Sequence, residues 1–168
     1  AIHGIILRSA ESIAGNSFRS QFLGNRGLDG SVVFTKPEIS TPLCKEENEG
    51  EADAVIEMVK ALIDESNKPA DIAVVTPFRK QVRLLREKAQ KVLNQDETPL
   101  IDTVERLQGQ DVNCIILTFA SSDKIFIKER HDFLFNPNRL NVMISRAKTK
   151  VIIFGSDNVQ MELESIIN

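Results

Sequence analysis

Leu100–Ser156 reads LIDTVERLQGQDVNCIILTFASSDKIFIKERHDFLFNPNRLNVMISRAKTKVIIFGS, and it decides the architecture. Two apolar runs inside it, Val112–Phe119 and Lys150–Phe154, have the length and composition of strands buried on both faces. A polar turn, Asp102–Asp111, precedes the first run. A short helix over 137–147 precedes the second, with Asn136 as its cap, Pro137 in its first turn and Leu140, Ile144 and Ala147 on its buried stripe.

Working outward, Ser31–Thr35 is β-branched and apolar and predicts a strand ended by Pro37. From Asn48 to Glu65 the positions Ala52, Val55, Ile56, Val59, Leu62 and Ile63 recur at helical spacing, which predicts an amphipathic helix with an acidic outer face. Asp71–Val75 suits a buried strand. Thr76-Pro77 signals a helix start, and Phe78, Val82, Leu85, Ala89 and Val92 mark one stripe of a helix reaching about Leu93. Leu100–Val104 adds a strand and 157–167 a last helix, while 36–47 and the stretch between Phe119 and Asn136 read as loops. Strands alternating with helices predict an α/β fold with three layers, a mainly parallel sheet covered on both sides. Ligands of such sheets sit at the carboxyl ends of the strands, where each polar motif here is expected to fall. Residues 1–30 show no sustained period and predict loops and at most one short helix. The expected division is a weakly patterned segment over 1–50 and a folded domain over 51–168, with the chain entering mid-fold.

At 168 residues, one domain burying roughly 70% of its unfolded surface is the default. No apolar run approaches the roughly 20 residues of a membrane helix, so no membrane partner is expected. Cys44 and Cys114 lie far apart without a CxxC, which fits a reducing, cytoplasmic setting. The net charge of −3 argues against a generic nucleic-acid coat. Its distribution is uneven: Glu46, Glu47, Glu49, Glu51, Asp53, Glu57, Asp64 and Glu65 face only Lys60 in 46–65, whereas Arg79, Lys80, Arg83, Arg86, Lys88 and Lys91 face only Glu87 in 79–91. One basic surface is compatible with that pattern.

Three motifs carry candidate chemistry, each with a plainer reading beside it. Thr76–Gln81, TPFRKQ, sets free N–H groups and two cations at a helix start, a seat for phosphate or simply a capped helix with solvated bases. In LQGQD, Gly109 permits close backbone approach, Gln108 and Gln110 donate or accept, and Asp111 can accept from a sugar hydroxyl; a solvated turn needs no more than this. Arg139 and Arg146, seven residues apart on the 137–147 helix, suit bidentate capture of phosphate oxygens or pairing with the acidic helix. His3 and His131 are isolated, so no metal site is expected. The chain lacks GxxxxGK[ST], since Gly24–Ser31 has no lysine before its serine, and an independent nucleoside triphosphatase is not expected.

Taken together and in this order, TPFRKQ, DTVERLQGQD and NPNRLNVMISRAK resemble motifs IV, V and VI of superfamily 1 helicases, in the 1B-type branch that includes the nonsense-mediated-decay and DNA-replication helicases. The resemblance covers about Glu51 to Ser156 and implies a second, C-terminal RecA-like domain of P-loop NTPase type without its own phosphate loop. It implies that Arg146 is an arginine finger for ATP and that Arg139 supports it. Asp111 stands where the family usually has a glutamate touching the ribose, with Gly109 and Gln110 beside it at the nucleotide. Thr103 and Gln108 fall in the region linking nucleotide to nucleic acid, and Thr76, Arg79, Lys80 and Gln81 on the nucleic-acid side. ATP and Mg2+ would be bound mainly by an N-terminal RecA-like domain of the same protein, and single-stranded DNA or RNA would be the track. The isolated chain is then expected to be inactive. The alternative is a non-catalytic RecA-like module that docks nucleic acid or protein.

Overall fold

The computed structural model describes residues 6–9, 31–35, 43–65, 67–107 and 109–167. Its strands are β1 (Ile6–Ser9), β2 (Ser31–Thr35), β3 (Ile72–Val75), β4 (Leu100–Asp102), β5 (Val112–Thr118) and β6 (Ala147–Phe154). They form one sheet in the order β1-β2-β6-β5-β3-β4, and every pairing is parallel. The helices are α1 (Glu49–Asp64), α2 (Arg79–Val92), α3 (Lys124–Glu129), α4 (His131–Leu134), α5 (Pro137–Arg146) and α6 (Asp157–Ile167).

Alternation along the central strands divides the core into two. Ala73, Val75, Ile115, Leu117, Val151 and Ile153 point to one face and pack with residues of α3–α6 and of the segment after β4. Ile72, Val74, Ile101, Cys114, Ile116, Ile152 and Phe154 point to the other, under α1 and α2. Both faces being covered explains why these strands read as unbroken apolar runs. Burial pushes the Cys114 thiol up to about 12, with Lys150 pulling weakly the other way.

Several expectations shift. Loops are expected over 1–30, yet Ile6–Ser9 is an edge strand beside β2, so both described strands of the first fifty residues belong to the same sheet. The stretch between Phe119 and Asn136 holds α3, capped by Asp123 through the N–H groups of Ile125 and Phe126, and the single turn of α4. β6 begins at Ala147 rather than Lys150, so Ala147 pairs with Val112 instead of closing a helical stripe. The side chain of Ile144 lies outside the described residues.

α2 starts at Arg79, not at Pro77, because the Thr76 N–H still donates to the Asp102 carbonyl across the sheet. Phe78 is the residue that turns into the helix, and its N–H reaches Thr76 Oγ1 at 3.4 Å. At the other end the buried residue is Leu93, in extended backbone just past the helix, while Val92 is 49% exposed. α1 and α2 pack side by side, and Lys88 lies 2.7 Å from Asp53 and 3.3 Å from Glu49. One cation of the basic stripe, Lys88, is therefore answered by the acidic helix, while Arg86 pairs with Asp102 of the sheet.

Candidate nucleotide and nucleic-acid site

The site is organised by one descending segment. Asp102 of β4 and Leu117 of β5 both stand beside Val75, but β5 begins five residues earlier, at Val112. Residues 103–111 must therefore return along the sheet by roughly 16 Å, five strand residues. Val104 and Leu107, buried on the way down, fasten this crossover to the sheet face, and α5 packs beside it. Its two ends are thus at opposite edges. Thr103 lies at the carboxyl end of β4, next to Thr76 at that of β3, whereas Gly109, Gln110 and Asp111 lie at the amino end of β5. Arg146 ends α5 at the amino end of β6. The expectation that every polar motif sits at the carboxyl ends is corrected: a chain joining parallel strands must come back to the amino edge before the next strand can start.

At the amino edge, register brings the candidates together. Val112 faces Ala147, so the residues just before each strand meet, and Arg146 Nη1 lies 3.4 Å from Asp111 Oδ1. The Arg146 side chain is 36% exposed, and its Nε is buried without a partner among the described residues. Gly109 has φ +81, and a Cβ there would meet nothing within 4 Å. The glycine is therefore required by left-handed backbone, not by crowding. The Gln110 N–H donates to the Leu107 carbonyl at 3.0 Å, and its side chain is exposed. Gln108 lies outside the described residues.

Ten residues before Arg146, just ahead of α5, Asn136 caps the helix as expected, accepting from the N–H groups of Asn138 and Arg139. The Arg139 guanidinium is engaged away from Arg146 through its two terminal nitrogens. It lies 2.9 Å from Glu105, donates to the Phe133 carbonyl at 3.1 Å and sits 4.7 Å above the Phe133 ring. Burial alone would raise the Glu105 carboxyl, but its own backbone N–H, Arg139 and Thr103 together hold it below the usual carboxylate range. Neither arginine pairs with α1. Glu105 and Phe133 were missed in the sequence, where nothing local marks them as partners of Arg139.

At the carboxyl edge the candidates separate by burial. Arg79 and Lys80 are exposed, Lys80 lying 3.2 Å from Glu46. Thr76 and Thr103 are buried. Gln81, placed by sequence on the nucleic-acid side, is fully buried: its Oε1 accepts from the Asn48 N–H at 2.8 Å, and its Nε2 donates to the Asn48 carbonyl and to Thr118 Oγ1. Its amide is consumed in fixing α1 against the end of β5. Glu51, expected on the solvent face of α1, is buried there too, accepting from Thr118 Oγ1 at 2.5 Å and from the Ala120 N–H at 2.9 Å. Burial pushes its carboxyl up to about 7 against the lowering effect of Thr118 and the Ala120 and Phe119 N–H groups. Ala120 itself has φ +62. Residues 44 and 45 bond to Ser121 and Ser122, so they cover the carboxyl end of β5.

Among the described residues no three His, Cys, Asp or Glu side chains gather as a metal site, and no helix is long and apolar enough to cross a membrane.

Residues 32–158 match a family model described as an AAA domain. The DNA replication ATP-dependent helicase/nuclease JHS1 of Arabidopsis thaliana is 31% identical over 110 residues, covering 65% of this chain and 8% of that protein. The DNA-binding protein SMUBP-2 of Rattus norvegicus is 35% identical over 106 residues, 63% of this chain and 10% of that one. The DNA replication ATP-dependent helicase/nuclease DNA2 of Homo sapiens is 28% identical over 124 residues, 72% and 11%. A solved C-terminal domain of a possible DNA helicase from Lactobacillus plantarum has a TM-score of 0.47 at 13% identity, covering 74% of this chain and 72% of that chain. The chain spans about a tenth of the length of the curated relatives it matches. With the family model covering most of its length and the motif order Thr76–Gln81, Asp102–Asp111, Asn136–Lys148 on a parallel sheet, the chain belongs to this AAA domain family and is a C-terminal RecA-like domain of the superfamily 1 helicases.

Proposed function

We propose that this domain is one half of an ATP-dependent helicase or translocase motor, and that it supplies an arginine finger and nucleic-acid backbone contacts to a site completed by an N-terminal RecA-like domain of the same protein. The observation that carries this reading is the position of Arg146: partly exposed, at the amino edge of the sheet and beside Asp111. A guanidinium so placed can leave one carboxylate for phosphate oxygens across a cleft without unfolding anything. Asp111, once released, can accept from a ribose hydroxyl, and Gly109 and Gln110 frame the approach.

ATP and Mg2+ would be held mainly by the partner domain, whose phosphate loop this chain lacks. Phosphoryl transfer requires neutralisation of charge on the transferring oxygens, which is the task given to Arg146. At the carboxyl edge, Arg79 and Lys80 present exposed cations to single-stranded DNA or RNA, and Thr103 begins the crossover that connects that edge to Asp111. Closing and opening of the two domains about the nucleotide would then move this domain along the strand.

The test is Arg146→Ala in the full-length protein. Loss of hydrolysis by roughly 10³–10⁵ with ATP affinity largely kept is expected. Normal turnover would remove the finger assignment and leave a RecA-like docking module. The isolated chain is expected to hydrolyse no ATP.

A further inference from the structure

The crossover 103–111 is held to α5 at two levels, and only the lower one, Asp111 with Arg146, belongs to the nucleotide edge. The upper level is Glu105 with Arg139. Glu105 stands two residues from Thr103 on the same turn and pairs with Arg139 at 2.9 Å, while Arg139 binds the Phe133 carbonyl and covers the Phe133 ring. Phe133 in turn lies 5.8 Å from Phe78, the residue that starts α2 immediately before Arg79. A single guanidinium therefore touches the middle of the crossover and, through one ring, the base of the helix that carries the exposed cations. Its Nη2 meets Glu105 and its Nη1 the Phe133 carbonyl, while Nε is buried without a partner among the described residues.

We infer that Glu105 and Arg139 form a positioning pair that transmits nucleic-acid occupancy at the carboxyl edge to Arg146 at the amino edge, by holding α5 and the crossover as one unit. This rests on the proposed motor function and deepens it. Neither residue touches nucleotide. Any displacement of Thr103 or of the start of α2 by a bound strand is passed through Glu105 and Phe133 to Arg139, and along the rigid turns of α5 to Arg146, seven residues on. Without the pair, the nucleotide edge is intact but no longer senses the other edge.

The experiment is steady-state ATP hydrolysis by the full-length protein with and without saturating single-stranded oligo-dT, comparing wild type, Glu105→Gln, Glu105→Ala and the charge exchange Glu105→Arg with Arg139→Glu. Glu105→Gln keeps the shape of the side chain and removes its charge. Basal hydrolysis and the KM for ATP within about twofold of wild type are expected, with the oligo-dT stimulation reduced about tenfold, an order-of-magnitude figure for one coupling interaction. The charge exchange rebuilds the link to the crossover but not the one to Phe133, since a glutamate at 139 cannot donate to that carbonyl, so its stimulation should stay well below that of wild type, and wild-type stimulation in it would overturn the route through Phe133. Wild-type stimulation in both Glu105 variants would overturn the inference, and so would an equal fall in basal and stimulated rates. If Glu105→Ala is poorly folded, Glu105→Gln and the exchange still decide the matter. Arg146→Ala separates the two levels: it tests the finger whether or not stimulation depends on Glu105.

Discussion

Arg146 and Asp111 meet because Val112 and Ala147 are register partners, so their ion pair is a property of the sheet and not of side-chain chance. Since both groups are substantially exposed, the pair itself contributes little to stability, on the order of 0–1 kcal/mol. Its value is placement. Substituting Asp111 by Ala is expected to raise the KM for ATP of the full-length protein by roughly three- to tenfold, the loss of one hydrogen bond, with kcat falling less. Asp111→Glu should retain activity, since the longer side chain reaches the same edge. An unchanged KM in Asp111→Ala would show that the ribose is held elsewhere.

The carboxyl edge separates binding from architecture. Arg79→Ala should weaken oligo-dT binding and reduce the salt dependence of the affinity by about one counterion, as expected for a lost phosphate contact. Gln81→Ala should act differently. It strips the buried Asn48 N–H of its partner, while the Thr118 hydroxyl keeps its bond to Glu51, costing on the order of 1–3 kcal/mol for the group left unsatisfied. A denaturant titration of the chain reads that loss. A variant at Gln81 with full stability and weakened binding would return Gln81 to the nucleic-acid surface.

How far the sequence discloses this molecule depends on how local each determinant is. β3 and β5 are legible because a strand buried on both faces leaves a continuous apolar run, and α5 because its cap and stripe lie within a few residues. Glu51 is illegible for the opposite reason. Its partners Thr118 and Ala120 are 67 and 69 positions away, so its place among first-turn acids looks like any solvated glutamate. Gln81 is hidden in the same way, by partners 33 and 37 positions distant. The motif order singles out Arg146 and Asp111 as candidates, but not that they occupy the amino edge, which only the register of β5 with β6 decides. Arg139 was grouped with Arg146 by helical spacing, and Glu105 and Phe133, neither of them near it in the heptad sense, draw it away.

The end of α2 offers a test of packing without function. Val92 satisfies the helical period but is half exposed, whereas Leu93 leaves the helix in extended backbone and turns inward at 5% exposure. Leu93→Ala should cost about 2–5 kcal/mol, the range for truncating a buried leucine, and Val92→Ala no more than about 0.5 kcal/mol. Equal losses in chemical denaturation would mean that the helix continues one residue further than described.

Glu51 makes stability depend on pH with a definite sign. In the unfolded chain its carboxyl titrates near the ordinary glutamate value, while burial in the fold pushes it up to about 7. Below the unfolded value both states are protonated and Glu51 contributes no pH dependence. Between about 4.5 and 7 the unfolded chain releases its proton and the fold keeps it, so stability falls as pH rises through that window and then levels off. The full difference is on the order of 3 kcal/mol, and bound donors already offset part of the burial. Glu51→Gln retains an oxygen able to accept from Thr118 and the Ala120 N–H but cannot ionise. Its stability relative to wild type should therefore improve steadily from pH 5 to pH 7.5, by on the order of 1–3 kcal/mol, when unfolding free energies are measured across that range. A difference that stays constant with pH would mean that the buried carboxyl keeps an ordinary pKa, and that the Thr118 and Ala120 donors outweigh the loss of water.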